Sequence, residues 1–138
     1  MDHRGIDAVL KDMRQHPEDA KVQEKGCKAL ANLALKADNK VKIGAGGGVE
    51  AIVQAMGGHR GSEGVQRQGC RALSNLAVNA DIAVKIGAEG GLEAIVQAVG
   101  GHRGSELTQG QFDLLEIALQ QFRVRFGLQA ESTPQTTR

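Results

Sequence analysis

Gly26-Cys27-Lys28-Ala29-Leu30-Ala31-Asn32-Leu33-Ala34 and Gly69-Cys70-Arg71-Ala72-Leu73-Ser74-Asn75-Leu76-Ala77 are one phrase written twice, 43 residues apart. The copying extends outward from this phrase in both directions. Residues 5–47 align with 48–90 without a gap and share 21 of 43 positions, and residues 48–63 share 14 of 16 with 91–106. A fixed period of this length is the mark of a tandem-repeat chain, in which each unit packs on its neighbours and the core is a strip rather than a ball. Residues one period apart then become side-by-side positions on a shared surface. Beyond residue 106 the copying fades: an offset of 43 from Asn75 gives Ala118, and the Gly-Cys pair becomes Phe112-Asp113. The 138 residues therefore hold about two and a half units, about 5–47, 48–90 and 91–126, the last of changed character.

Within a unit the spacing of apolar residues predicts three helices. Val-Glu-Ala-Ile-Val-Gln-Ala-Met at 49–56, with copies at 6–13 and 92–99, sets apolar side chains one, three and four apart, which is a helix stripe. Gly48 and Gly91 open these segments, and Gly57-Gly58 and Gly100-Gly101 close them. A longer helix follows, at about 20–36 and 63–79, with Val22, Cys27, Leu30, Leu33 and Ala34, or Val65, Cys70, Leu73, Leu76 and Ala77, as its buried set. Ser62 or Ser105 is placed to cap it, and Pro17 stands where a first-turn amide has no partner anyway. Gly26 and Gly69 lie inside these helices at a cost of about 1 kcal/mol each relative to alanine, so a neighbour is expected to approach too closely for a Cβ. Asp38 and Asp81 are expected to cap a third, short helix at about 39–44 and 82–87, whose buried face is Val41 with Ile43, or Val84 with Ile86. The glycines at 44–48 and 87–91 turn the corner into the next unit.

Composition narrows the function. Formal charge is +1 from 17 basic and 16 acidic residues, which gives no broad electrostatic case for nucleic acid or a membrane surface. No apolar run is long enough to span a bilayer, and Met1-Asp2-His3-Arg4-Gly5 does not open a signal peptide, so a cytoplasmic or nuclear setting is the expectation. Cys27 and Cys70 hold equivalent positions on separate layers. Packed helices stand about 8–10 Å apart, whereas a disulfide needs Cα atoms within about 7 Å, so both cysteines are read as reduced core thiols. No metal is expected, because His16, His59 and His102 repeat with the loop rather than gathering near the cysteines. No cofactor is expected, since the glycines at 44–48 lack the preceding strand and the following Lys-Ser or Lys-Thr of a phosphate loop. No enzyme is expected either: Cys27 with His16 or His59 has no orienting third group, and Glu50 and Glu93 sit on copied helices.

The last helix breaks the pattern. Phe112, Leu115, Leu119, Phe122 and Phe126 are spaced three and four apart and include all three phenylalanines of the chain. Two readings fit that stripe: a cover for the end of the stack, or a self-association face, because such spacing is what helix pairing requires. Residues 129–138, rich in Ser, Thr, Gln and Pro, read as a disordered tail.

A three-helix unit of about 42 residues resembles the armadillo repeat when it carries Ala-Leu-x-Asn-Leu-Ala in its longest helix and an aspartate-opened short helix running into a glycine corner. The likeness covers about residues 5–122, and each copy of the motif is followed by Lys-Ile-Gly-Ala and Glu-Ala-Ile-Val-Gln-Ala. It implies an all-α fold, a right-handed α-α superhelix, or solenoid, of about two and a half three-helix repeats over 1–128 with an atypical C-terminal helix. It also implies that third helices, near 20–36, 63–79 and 106–126, line a concave face on which Asn32 and Asn75 grip the backbone of an extended peptide. The tryptophan usual one turn before that asparagine is replaced by Lys28 and Arg71, and the chain has no tryptophan.

The residues themselves point the same way. Glu24, Lys28 and Asn32 are four apart and share one helix face, as do Arg67, Arg71, Asn75 and Asn79. An amide offers donor and acceptor together, which suits the unpaired N–H and C=O of an extended peptide, while Arg71 and Lys28 add positive charge beside it. The reading is a peptide-binding surface of Lys28, Asn32, Arg67, Arg71 and Asn75 for an acidic or phosphorylated segment of a protein partner. A structural scaffold, or a homodimer formed through the phenylalanine-rich helix, is the alternative. His59-Arg60 and His102-Arg103, with His16, mark one recurring loop edge as a further candidate for anion binding or pH response.

Overall fold

The computed structural model describes residues 2–101, with side chains from 5 to 98. Seven helices and no strand occur among them: α1 (Asp2–Gln15), α2 (Ala20–Leu33), α3 (Ala37–Ala45), α4 (Gly48–Gly58), α5 (Glu63–Leu76), α6 (Ala80–Ala88) and α7 (Gly91–Gly101). The fold of this region is all-α. Helices one period apart pack on each other: α2 lies along α5, α1 meets α4, α4 meets α7 and α3 meets α6. None of the described helices is long and apolar enough to cross a membrane. The phenylalanine-rich stripe from Phe112 to Phe126, Ser105, His102 and the 129–138 tail lie outside the described residues.

Each long helix starts on a side-chain cap at the same repeat position. Asp19 accepts from the amides of Lys21 and Val22 at 3.0 and 3.2 Å, and Ser62 accepts from Val65 at 3.2 Å. Pro17 precedes the helix, in the turn that leads to this cap. Both helices end three residues before the expected 36 and 79, at Leu33 and Leu76, because the chain tightens there. Leu35 and Lys36 bond back three residues, to Asn32 and Leu33. Such tightening orphans some of the last carbonyls, which must find donors elsewhere.

The short helices are opened differently from the sequence expectation. Asp38 and Asp81 sit in the first turn, where negative charge favours the helix N-terminus, but the capping positions are Lys36 and Asn79. Asn79 Oδ1 accepts from the amide of Ile82 at 3.0 Å. Lys36 cannot accept, and the first unit instead donates into the frayed end of α2: Asn39 Nδ2 to Leu33 O at 2.9 Å and Lys40 Nζ to Ala34 O at 2.6 Å. The buried face of α3 is therefore Asn39 with Ile43, four apart, while Val41 is 57 % exposed. A residue two positions from both must point to the far side of a helix with 3.6 residues per turn. Val84, its copy in α6, is half-buried beside Ile82, Ala83 and Ile86.

The core runs through both units as one cluster that includes Leu10, Cys27, Leu30, Ile52, Leu73 and Ile86. Val22 and Leu33, expected at its centre, lie at its margin. Gly26 and Gly69 answer to a close approach, as their cost implied, and the neighbour is a side chain. A Cβ on Gly26 would lie 2.5 Å from Cγ and Sδ of Met13, and one on Gly69 would meet Met56 in the same way. At the corners, Gly47 and Gly90 adopt φ of 87° and 86°, the left-handed region that L side chains resist.

Candidate peptide-binding face on α2 and α5

The two asparagines, equal in sequence, are unequal in space. Asn75 is 8 % exposed, and its Nδ2 donates to Ala31 O of α2 at 2.9 Å. That carbonyl lies in the tightened last turn of α2, so the amide of one unit closes the helix end of the previous one. Asn32 has no such neighbour among the described residues and stays exposed. The expected ladder of two equivalent free amides is thus a pair with one member turned into the joint between units and one on the surface.

Around Asn32 the surface is organised by Arg71. The guanidinium reaches from α5 across to α2, where one NH2 group donates to Asn32 Oδ1 and the other to Gln68 Oε1 on its own helix. A guanidinium only donates, so both amides present oxygen to it. Two neutral amides therefore hold the cation, and among the described residues no carboxylate pairs with Arg71 or with exposed Lys28, one turn before Asn32. Glu24, the acid on the same face, is turned elsewhere. Its carboxylate carbon lies over Gly64, where an added Cβ would come within 2.5 Å, in the first turn of α5. There the helix dipole favours its charge.

The remaining candidates separate from this group. Arg67 forms an ion pair with Glu63 at 3.9 Å within its own helix, so its charge is offset locally. Asn79, on the same sequence stripe, caps α6. His59 Nε2 lies 2.8 Å from Pro17 O and donates its proton there, tying two copied loops together across units. Carbonyl oxygen can only accept, which makes this a structural contact for the recurring histidine. The self-association candidates Phe112, Leu115, Leu119, Phe122 and Phe126 lie outside the described residues.

Sequence reasoning passed over one repeated device. Gln23 and Gln66, 43 residues apart, are buried within the long helices at 3 % and 5 % exposure. Gln23 Nε2 donates to Met13 O at 3.1 Å and His16 O at 2.7 Å, while Gln66 Nε2 donates to Met56 O and His59 O, both at 2.9 Å. Each amide thereby ties off the C-terminal carbonyls of the preceding short helix. The signal was present, since the same glutamine stands at 23, 66 and 109. Among the described residues no cluster of three or more His, Cys, Asp or Glu side chains is placed to hold a metal ion. Comparison with protein-family models, curated proteins and solved structures returned no match.

Proposed function

We propose that the chain is a non-enzymatic protein-interaction module of armadillo type, a right-handed superhelical stack that binds an extended acidic or phosphorylated peptide along its long-helix face. The observation that carries this reading is Arg71, a guanidinium spanning α5 and α2 and held, among the described residues, by the amide oxygens of Asn32 and Gln68. A cation supported by neutral groups keeps its attraction for an anion, and N–H groups beyond those two bonds remain for a carboxylate or phosphate. Lys28 adds a second charge on the same side, and the exposed Asn32 Nδ2 offers a donor to a peptide carbonyl. Asn75 then serves by fixing α5 against α2, which sets the distance from Arg71 to Asn32. Arg67 takes the lesser part, because Glu63 shares its charge.

The test is calorimetric titration of the full chain with an acidic peptide, its phosphoserine form and a charge-neutral analogue. Affinity is expected near 10–100 μM for the charged peptides, as suits a small polar interface, and weaker as salt rises. Arg71→Glu is expected to weaken binding at least about tenfold and Asn32→Ala by about fivefold, a loss near 1 kcal/mol. Equal binding of the neutral analogue, or indifference to Arg71→Glu, would overturn the proposal.

A further inference from the structure

Two clefts open at one repeat position, between helices α1, α4 and α7, each with one glutamine of a long helix, Gln23 of α2 or Gln66 of α5, in its wall. One, of about 280 Å³, lies between α1 and α4 and is walled by Met13, Gln23 and Ala51. The other, of about 540 Å³, lies between α4 and α7 and is walled by their copies Met56, Gln66 and Ala94. In each, the glutamine amide has its two N–H groups engaged by backbone carbonyls, so its Oε1 is the group left over. Among the described residues neither oxygen accepts a hydrogen bond, and neither is sealed from open space. A side chain more than nine-tenths buried has thus been held rigidly with a free acceptor at an apolar cleft, twice, at the same place in the repeat.

We infer that the α1/α4/α7 face binds a peptide in the polyproline II conformation, one apolar side chain entering each cleft and a backbone N–H donating to each glutamine Oε1. The spacing selects the conformation. Packed helices stand about 8–10 Å apart, so the clefts between successive pairs are separated by about the same distance. Polyproline II rises about 3.1 Å per residue with three residues per turn, so side chains at i and i+3 share a face about 9 Å apart. A β-strand offers same-face side chains about 6.6 or 13 Å apart and misses that interval. The polyproline helix also makes no internal hydrogen bonds, which leaves the N–H groups of its non-proline residues available to the two oxygens.

Fluorescence anisotropy on the full chain tests this. One labelled peptide carries leucines at i and i+3 with proline and alanine between them, and a second has the same composition with the leucines adjacent. The first is expected to bind at least about tenfold more tightly, since misplacing one leucine forfeits one cleft. Gln54 and Gln97 are exposed copies at the rims of the two clefts, so Gln54→Trp and Gln97→Trp fill them from the solvent side. Each is expected to cost about tenfold, while Lys25→Glu, exposed on α2 and outside both clefts, leaves affinity unchanged. The inference fails if the wild-type chain does not distinguish the two spacings, a comparison that needs no variant. It fails equally if neither tryptophan weakens binding.

Discussion

Burial pushes the thiols of Cys27 and Cys70 up from an ordinary 9.0 to about 12, and the nearby Cys70 adds to the effect on Cys27. In the unfolded chain they ionise near pH 9, while in the folded chain they keep their protons to about pH 12. The unfolded state therefore binds fewer protons across that window, and stability falls as pH rises through it. Urea unfolding followed from pH 8 to 11 should show this decline, with a shallower slope in a Cys27→Ala, Cys70→Ala double variant. Identical slopes would remove the thiols as its cause. Neutral buried thiols should also resist a thiol reagent at pH 8 until the chain unfolds. The role of these residues was legible in the sequence, because depth follows from the apolar stripe. The contrast between Asn32 and Asn75 was not legible, because the stripe is the same for both and only the presence of α2 beside α5 separates them.

At the scale of the helix, the ends carry most of the specific chemistry. Gln66→Leu keeps the volume of the side chain but leaves the carbonyls of Met56 and His59 without their donor, and a cost of about 1–3 kcal/mol is expected from urea unfolding. A change under about 0.5 kcal/mol would mean that water replaces the amide freely. The corner before α4 gives a sharper contrast. Gly47→Ala forces φ of 87° on an L side chain and should destabilise by about 1–2 kcal/mol, whereas Gly57→Ala faces open space inside α4 and should be neutral or stabilising by up to about 1 kcal/mol. If both changes moved stability the same way, the left-handed corner would not be the reason for the first glycine. The helices themselves could be read from apolar spacing, but the caps of α3 and α6 could not. Asp38 and Asp81 look like caps in the sequence, but each helix starts two residues earlier, which puts Lys36 and Asn79 at the capping positions and leaves only Asn79 to bond there.

The units are joined by a few polar ties laid over the apolar strip. Asn75 Nδ2 on Ala31 O, Arg71 on Asn32 and His59 on Pro17 O all run from the second unit to the first. On the proposed solenoid reading, in which each unit contacts only its neighbour, weakening one joint should uncouple the units before it unfolds either. Asn75→Ala is expected to cost about 1–3 kcal/mol and to lower hydrogen-exchange protection in α2 more than in α7. Uniform loss of protection would show that the described units unfold as one body. In the third unit the equivalent position is Ala118, so this amide tie has no counterpart there.

Period, helix content and the depth of most apolar residues, though not of Val22, Leu33 or Val41, were determined by the sequence alone, because they depend on spacing along one chain and on repetition of the same letters. Where each polar side chain is spent was decided only by the tertiary structure. An amide such as Gln23, Asn39, Asn75 or Asn79 bonds to whatever backbone carbonyl or amide the packing leaves without a partner, and those gaps appear only where helix ends tighten and neighbours meet. Arg71 illustrates both halves: its charge and helix face are written in the sequence, while its reach to Asn32, 39 positions earlier, exists only because α5 lies along α2.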